Sequence, residues 1–175
     1  MQIIELKDTI KDYGKDIRLN LSSVTTEEGS PGLSQEQIWG IALASSYYTK
    51  NQALIESIRE SSAGALSPAY TEAAKAAATI MAMNNIYYRF THLVEDGEFS
   101  KMPAKLRMNV IGNPGIEKVG FELMSLAVSA LSGCGKCINA HVHEIKKAGV
   151  ANEGIQSSIR IASVINATAQ ALTIG

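Results

Sequence analysis

Apolar residues recur at helical spacing through almost the whole chain, and the strict apolar–polar alternation of a half-buried strand is nearly absent. The pattern predicts an all-α fold with helices over about 2–13, 16–23, 34–49, 51–62, 68–94, 103–112, 117–132, 134–148 and 152–173. Boundary residues support it. Ser34 stands three positions before Gln37, the spacing of a capping box. Ser67-Pro68 puts a hydroxyl cap ahead of a proline at the first helical position. The run TTEEGSPG at 25–32 reads as a loop, Asn113-Pro114-Gly115 as a turn, and Gly149 as a left-handed cap on the helix before it. Segment 68–94 carries Ala73, Ala74, Ala76, Ala77 and Ala78; such small side chains let neighbouring helices approach closely, so this segment is expected at the centre of a helical bundle.

Two stretches share a weak internal likeness. Glu72 to Phe90 reads as helix, Met-Asn-Asn, then aromatic helix; Glu122 to His141 reads as helix, Gly-Cys-Gly-Lys-Cys, then polar helix. A duplicated helical unit would produce it, with halves at about 1–100 and 101–175 of a single 1–175 domain. Chance similarity between two Ala-rich helices would also do so.

Composition narrows the function classes. A chain of 175 residues, 46% hydrophobic and 19% charged, buries about 70% of its unfolded surface and needs no disulfide or metal staple. A net charge of −1 and a pI near 6.3 argue against nucleic acid or an anionic membrane as partner. Charges at Glu5, Lys7, Asp8, Lys11 and Asp12 deny the N-terminus the apolar core of a signal peptide, and no apolar run approaches the ~20 residues of a membrane span. A cytoplasmic location is expected. Structural disulfides are rare there, so cysteines in such a chain point to chemistry.

The chain has two cysteines, and they stand together in Cys134-Gly135-Lys136-Cys137, with His141 one helical turn further on. On a helix, Cys134, Cys137 and His141 fall within an arc of about 60°, while His143 falls on the opposite face. A structural zinc site needs four convergent ligands and only three converge here; a three-ligand catalytic zinc is a weaker reading still. Dithiol–disulfide chemistry fits best. Ser132-Gly133 suits a tight entry that puts Cys134 in the first turn, where the helix dipole and Lys136 favour a thiolate. Cys134 is then expected to be the more accessible sulfur, suited to exchange with an external dithiol. Cys137, with His141 at i+4 as base, is suited to attack a peroxide oxygen and become a sulfenic acid that its partner condenses with. Of the remaining candidates, His143 and His92 read as solvated. Glu144 borders the thiol face but reads as a surface residue. Glu122 opens an apolar helix; it serves either the helix dipole or as an acid returning against His141.

Four collinear stretches resemble the alkyl hydroperoxidase D family, within the superfamily that includes carboxymuconolactone decarboxylases. They are Lys15 to Leu21, Met81-Ala82-Met83-Asn84-Asn85, Leu106 to Gly115, and Phe121-Glu122-Leu123 through Cys134-Gly135-Lys136-Cys137-Ile138-Asn139-Ala140-His141. The resemblance implies an all-α fold built from a duplicated helical unit and assembled as a homotrimer. It implies a thiol-dependent alkyl hydroperoxide reductase with no bound cofactor. Its electrons would come from the dihydrolipoamide of a lipoylated acyltransferase, kept reduced by dihydrolipoamide dehydrogenase, and it would reduce small hydroperoxides or regenerate a peroxiredoxin. By the same resemblance Cys137 is the peroxide-attacking cysteine, Cys134 its resolving partner, and Glu122 and His141 the proton relay. Well-known members carry a histidine between the cysteines where this chain has Lys136, which stays protonated near neutral pH and takes over no shuttle role. A different class is a non-catalytic adaptor that passes electrons from a lipoylated protein to a peroxiredoxin without using peroxide. A lactone or β-keto-acid enzyme is disfavoured, because such relatives lack the CxxC-x3-His cluster.

Overall fold

The computed structural model describes all 175 residues, and every regular element is helical. In chain order these are α1 (Ile3–Asp8), a 3-10 turn (Asp12–Gly14), α2 (Lys15–Val24), α3 (Gln35–Thr49), α4 (Gln52–Ser62), α5 (Pro68–Leu93), α6 (Glu98–Lys101), α7 (Asn109–Gly112), α8 (Lys118–Ser132), α9 (Gly135–Lys147) and α10 (Asn152–Ile174). The all-α reading therefore holds. No helix is long and apolar enough to cross a membrane.

The expected caps form. The Ser34 hydroxyl accepts from the Gln37 N–H at 3.2 Å while the Gln37 side chain accepts from the Ser34 N–H at 3.0 Å. Ser67 accepts from the Tyr70 N–H, with Pro68 at the first helical position. The helices α3, α5, α8 and α10 pack on one another around one core of 30 buried residues, and α9 lies against α8 and α5. Ala73, Ala74 and Ala77 of α5 are buried in it, as their size predicts. At the start of α8, Gly120 leaves room for the Tyr70 hydroxyl, which a Cβ would meet at 2.1 Å. Tyr70 donates to Glu117, the residue that caps α8; burial first, then this bond, holds its phenol far above the usual range.

Two predicted helices are corrected. The first, 2–13, breaks after Asp8, where the Thr9 hydroxyl donates to the Leu6 carbonyl at 2.7 Å and closes α1. The second, 103–112, keeps only its last turn as α7. Met102 is extended ahead of Pro103, as the proline ring requires of its predecessor, and Lys105 takes a left-handed φ of 52°. Helix α5 runs unbroken through Met83-Asn84-Asn85, the stretch the internal likeness sets beside the Cys134 turn, whereas α8 stops there.

Candidate active site

The site is built around the turn between α8 and α9. Gly133 has a φ of 73°, a conformation that costs a residue with a Cβ about 1–2 kcal/mol. It donates to the Ala130 carbonyl at 3.1 Å, and Cys134 donates to the Ser129 carbonyl at 3.2 Å, which together make a Schellman stop. Arg89 of α5 reaches across to the Ser132 carbonyl at 2.5 Å, and Asn85 ties α5 to the same end of α8 through the Ser129 hydroxyl and the Val128 carbonyl. The turn is thus clamped from α5 before it delivers Cys134 as the N-cap of α9.

Cys134 and Cys137 are joined as a disulfide with their Cα atoms 5.3 Å apart. The Cys134 sulfur also accepts from the Cys137 N–H at 3.3 Å, so it occupies the position where a helix N-terminus favours a thiolate. Accessibility runs opposite to the sequence expectation. Cys134 is 0% exposed, because the capping position turns its sulfur inward under the first turn of α9, while Cys137 is 7% exposed and borders a cavity. Of the two sulfur-bearing residues, Cys137 is the one that lines the cavity.

That cavity encloses about 360 Å³, within the range of small-molecule sites. Met81, Asn84 and Tyr88, spaced i, i+3 and i+7 along one face of α5, form one wall; Met108 and Ile111, flanking and within α7, form another. The Tyr88 hydroxyl lies 3.8 Å from the Met108 sulfur, and the Lys136 ammonium sits over the Tyr88 ring, 5.4 Å from its centroid. Asn85 has a partner at both its Oδ1 and its Nδ2, but Asn84, also buried, leaves its Oδ1 without one. The sequence expectation gave no site role to Met81, Asn84 or Tyr88; the signals available were their common helical face and the place of Met81 and Asn84 in one of the stretches that carry the family resemblance.

His141 and Glu122 meet on the cavity floor. Both are buried, and His141 Nδ1 lies 2.6 Å from Glu122 Oε2. A carboxylate there can only accept, so Nδ1 carries the hydrogen and Nε2 is the nitrogen free to take or give a proton. Nε2 faces the Met81 sulfur at 3.3 Å. Of the two readings open for Glu122, the structure takes the acid turned back against His141. Glu144 does not orient the imidazole. It pairs with Lys118 at 2.6 Å, which holds the Glu144 carboxyl below its usual range and raises the Lys118 ammonium. Glu122 also borders a second hollow of about 290 Å³ with Lys118, Glu144 and Lys147. His143 and His92 are exposed, as expected.

Residues 97–174, which contain Glu122, Cys134, Cys137 and His141, match the carboxymuconolactone decarboxylase family model. An alkyl hydroperoxide reductase AhpD of Coxiella burnetii (strain RSA 493 / Nine Mile phase I) is 55% identical over 94% of this chain and 93% of its own length. The chain belongs to the AhpD family. Further AhpD relatives are those of Hyphomonas neptunium (strain ATCC 15444), 51% identical over 98% of this chain and 94% of the relative, and of Rhodopseudomonas palustris (strain BisA53), 47% identical over 100% and 95%. Within this AhpD chain the matched segment supplies α6 to α10 and so the dithiol, the imidazole and the acid; α5, outside it, supplies Met81, Asn84 and Tyr88.

Proposed function

We propose that this protein is a cytoplasmic dithiol peroxidase that reduces alkyl hydroperoxides and is itself reduced by protein-bound dihydrolipoamide. The observation that carries the reading is Cys137 bordering the cavity beside the Glu122–His141 pair, with Cys134 already bonded to it. In the reduced protein His141 Nε2 takes the Cys137 proton, and Glu122 stabilises the imidazolium through Nδ1. The Cys137 thiolate attacks the outer oxygen of the hydroperoxide; the O–O bond breaks, Cys137 becomes a sulfenic acid, and the alkoxide takes the proton from His141 and leaves as the alcohol. Cys134 then displaces water from the sulfenic acid and the disulfide closes.

For the reductive half, the exposures favour Cys137 as the sulfur that a dihydrolipoyl thiolate attacks. Cys134 leaves as a thiolate at the N-terminus of α9, where the helix dipole and N–H groups favour its charge. The second thiol of the lipoyl group then releases Cys137 and closes its own disulfide. In this reading a lipoylated acyltransferase carries the reductant and dihydrolipoamide dehydrogenase regenerates it. A peroxiredoxin disulfide is a second electron acceptor, and the working assembly is a homotrimer. The partners and the trimer are what the family resemblance implies; the apolar outer face of α5 is compatible with assembly.

The test is to mix anaerobically reduced protein with an organic hydroperoxide and no other protein. One alcohol should form and two thiols should disappear per peroxide consumed. Thiols that survive peroxide yet are lost on adding an oxidised peroxiredoxin would replace the peroxidase with a pure electron-transfer adaptor.

A further inference from the structure

The imidazole of His141 is held at both nitrogens, and the two holders differ in kind. Glu122 takes Nδ1 with a strong, charge-assisted bond. The Met81 thioether faces Nε2 at 3.3 Å, is 1% exposed, and comes from α5, 60 residues away in sequence. A thioether has no hydrogen to give and accepts only weakly. It therefore offers nothing to a neutral Nε2 and a weak acceptor to Nε2–H. From this geometry we infer that Met81 is a positioning residue: its sulfur accepts from Nε2–H once the proton has arrived, and so favours the state in which the proton of Cys137 rests on Nε2. The inference rests on the thiol–imidazole relay proposed above.

The weakness of the contact is what suits it to the task. A carboxylate or amide oxygen in that place would keep the proton, and a purely hydrocarbon side chain would leave Nε2–H without a partner in a buried site. A sulfur at this distance partners Nε2–H yet lets the imidazolium pass its proton to an alkoxide forming in the cavity. No other side chain is bonded to the imidazole. The titratable groups around the cavity are Glu122 and Lys118 from α8, Lys136, Cys137 and Glu144 from α9, and Tyr88 from α5. Lys118 and Glu144 bond each other, and Lys136 lies over Tyr88. The α7 side contributes Met108 and Ile111, neither of which titrates.

The test is a two-by-two set of full-length proteins: parent, Met81→Leu, His141→Gln and the double variant. The readout is the rate of Cys137 alkylation by iodoacetamide in the reduced state at neutral pH. Met to Leu conserves volume and is well tolerated in cores. Met81→Leu is expected to slow alkylation about threefold, the size of one weak hydrogen bond, and to have no further effect once His141 is Gln. An unchanged rate in Met81→Leu beside a slowed His141→Gln overturns the role of Met81 and leaves the relay standing. A threefold loss that persists in the His141→Gln background makes Met81 a packing residue and also overturns it. An unchanged rate in His141→Gln removes the relay itself, and this inference with it. A measurement on the parent protein needs no variant: in the disulfide form, the Met81 methyl resonance should move together with the His141 ring resonances across a pH titration. A methyl resonance that stays still while the ring titrates would contradict the contact.

Discussion

At the residue scale, the proposed mechanism comes down to where one proton rests. Cys137 has to lose it, His141 to hold it, and the product oxygen to regain it. The carboxylate of Glu122 keeps the imidazole in one tautomer and balances its charge from 2.6 Å, in a buried setting where water does neither. Glu122→Gln keeps the shape of the side chain but removes the charge and lets the amide donate as well as accept. It should lower peroxide turnover about a hundredfold, the usual scale of a positioned proton-transfer partner, with the fold intact by circular dichroism. Turnover within a factor of two of the parent would take Glu122 out of the chemistry. How much of this was legible in the sequence depended on chain separation. Cys134, Cys137 and His141 lie within eight residues, so helical periodicity alone put them on one face. Glu122 lies 19 residues before His141 and its pairing depended on how α8 and α9 fold back, so helical spacing left it between two roles and only the family resemblance placed it in the relay. Met81 comes from another helix, and no local pattern connects it to the histidine. The misjudged accessibility of Cys134 has the same origin: periodicity gives the face of a helix, whereas the capping geometry decides which sulfur turns inward.

At the scale of elements, four helices meet at the cavity, α7 supplying one wall and the other three each doing something different. Helix α8 ends on a left-handed glycine and hands over Cys134; α9 begins there and carries Cys137 and His141; α5 clamps the turn through Arg89 and Asn85 and walls the cavity with Met81, Asn84 and Tyr88. The Lys118–Glu144 pair ties α8 to α9 beside the cavity. Its hydrogen bond and charge favour ionised Glu144, so the folded carboxyl titrates below its ordinary 4.5. By linkage, whatever this pair adds to stability is fully present above that ordinary value and is lost as the pH falls through the lowered one. Carbon NMR of the Glu144 carboxyl should therefore give a midpoint under 4.5, rising toward 4.5 in Lys118→Met. A parent midpoint at or above 4.5 would mean that the two helices are not bridged there in solution. The helices themselves were largely readable, because caps and apolar spacing agree along most of the chain. Of the two exceptions, 2–13 breaks at Thr9, and 103–112 has a helical pattern that Pro103 and the left-handed Lys105 override, which leaves α7 as a single turn with Met108 and Ile111 on the cavity wall.

At the scale of the whole molecule, one row of large apolar side chains is left outside along the end of α5. Ile86, Phe90 and Leu93, at i, i+4 and i+7, are 64%, 48% and 70% exposed. Phe99 packs edge-on against Phe90 with ring centroids 5.2 Å apart. A row of large apolar side chains of this kind is costly to leave in water and is the natural seam for the proposed homotrimer. Sedimentation should give the mass of three chains for the parent and smaller species for Phe90→Glu, with helicity retained. A parent that sediments as a single chain at micromolar concentration would remove the trimer. The sequence did not point to this face, since exposed and buried apolar residues alternate along α5 with the same helical period.

The most direct test of the chemistry asks which sulfur meets the peroxide. Trypsin cuts after Lys136 and so separates Cys134 from Cys137 onto different peptides. Reduced Cys134→Ser protein, treated with one equivalent of tert-butyl hydroperoxide in the presence of dimedone, should carry the sulfenic-acid adduct on the Cys137 peptide. The complementary Cys137→Ser protein should carry none on Cys134. An adduct on Cys134, or none on either peptide while peroxide is still consumed, would contradict the assignment of Cys137 as the attacking thiolate.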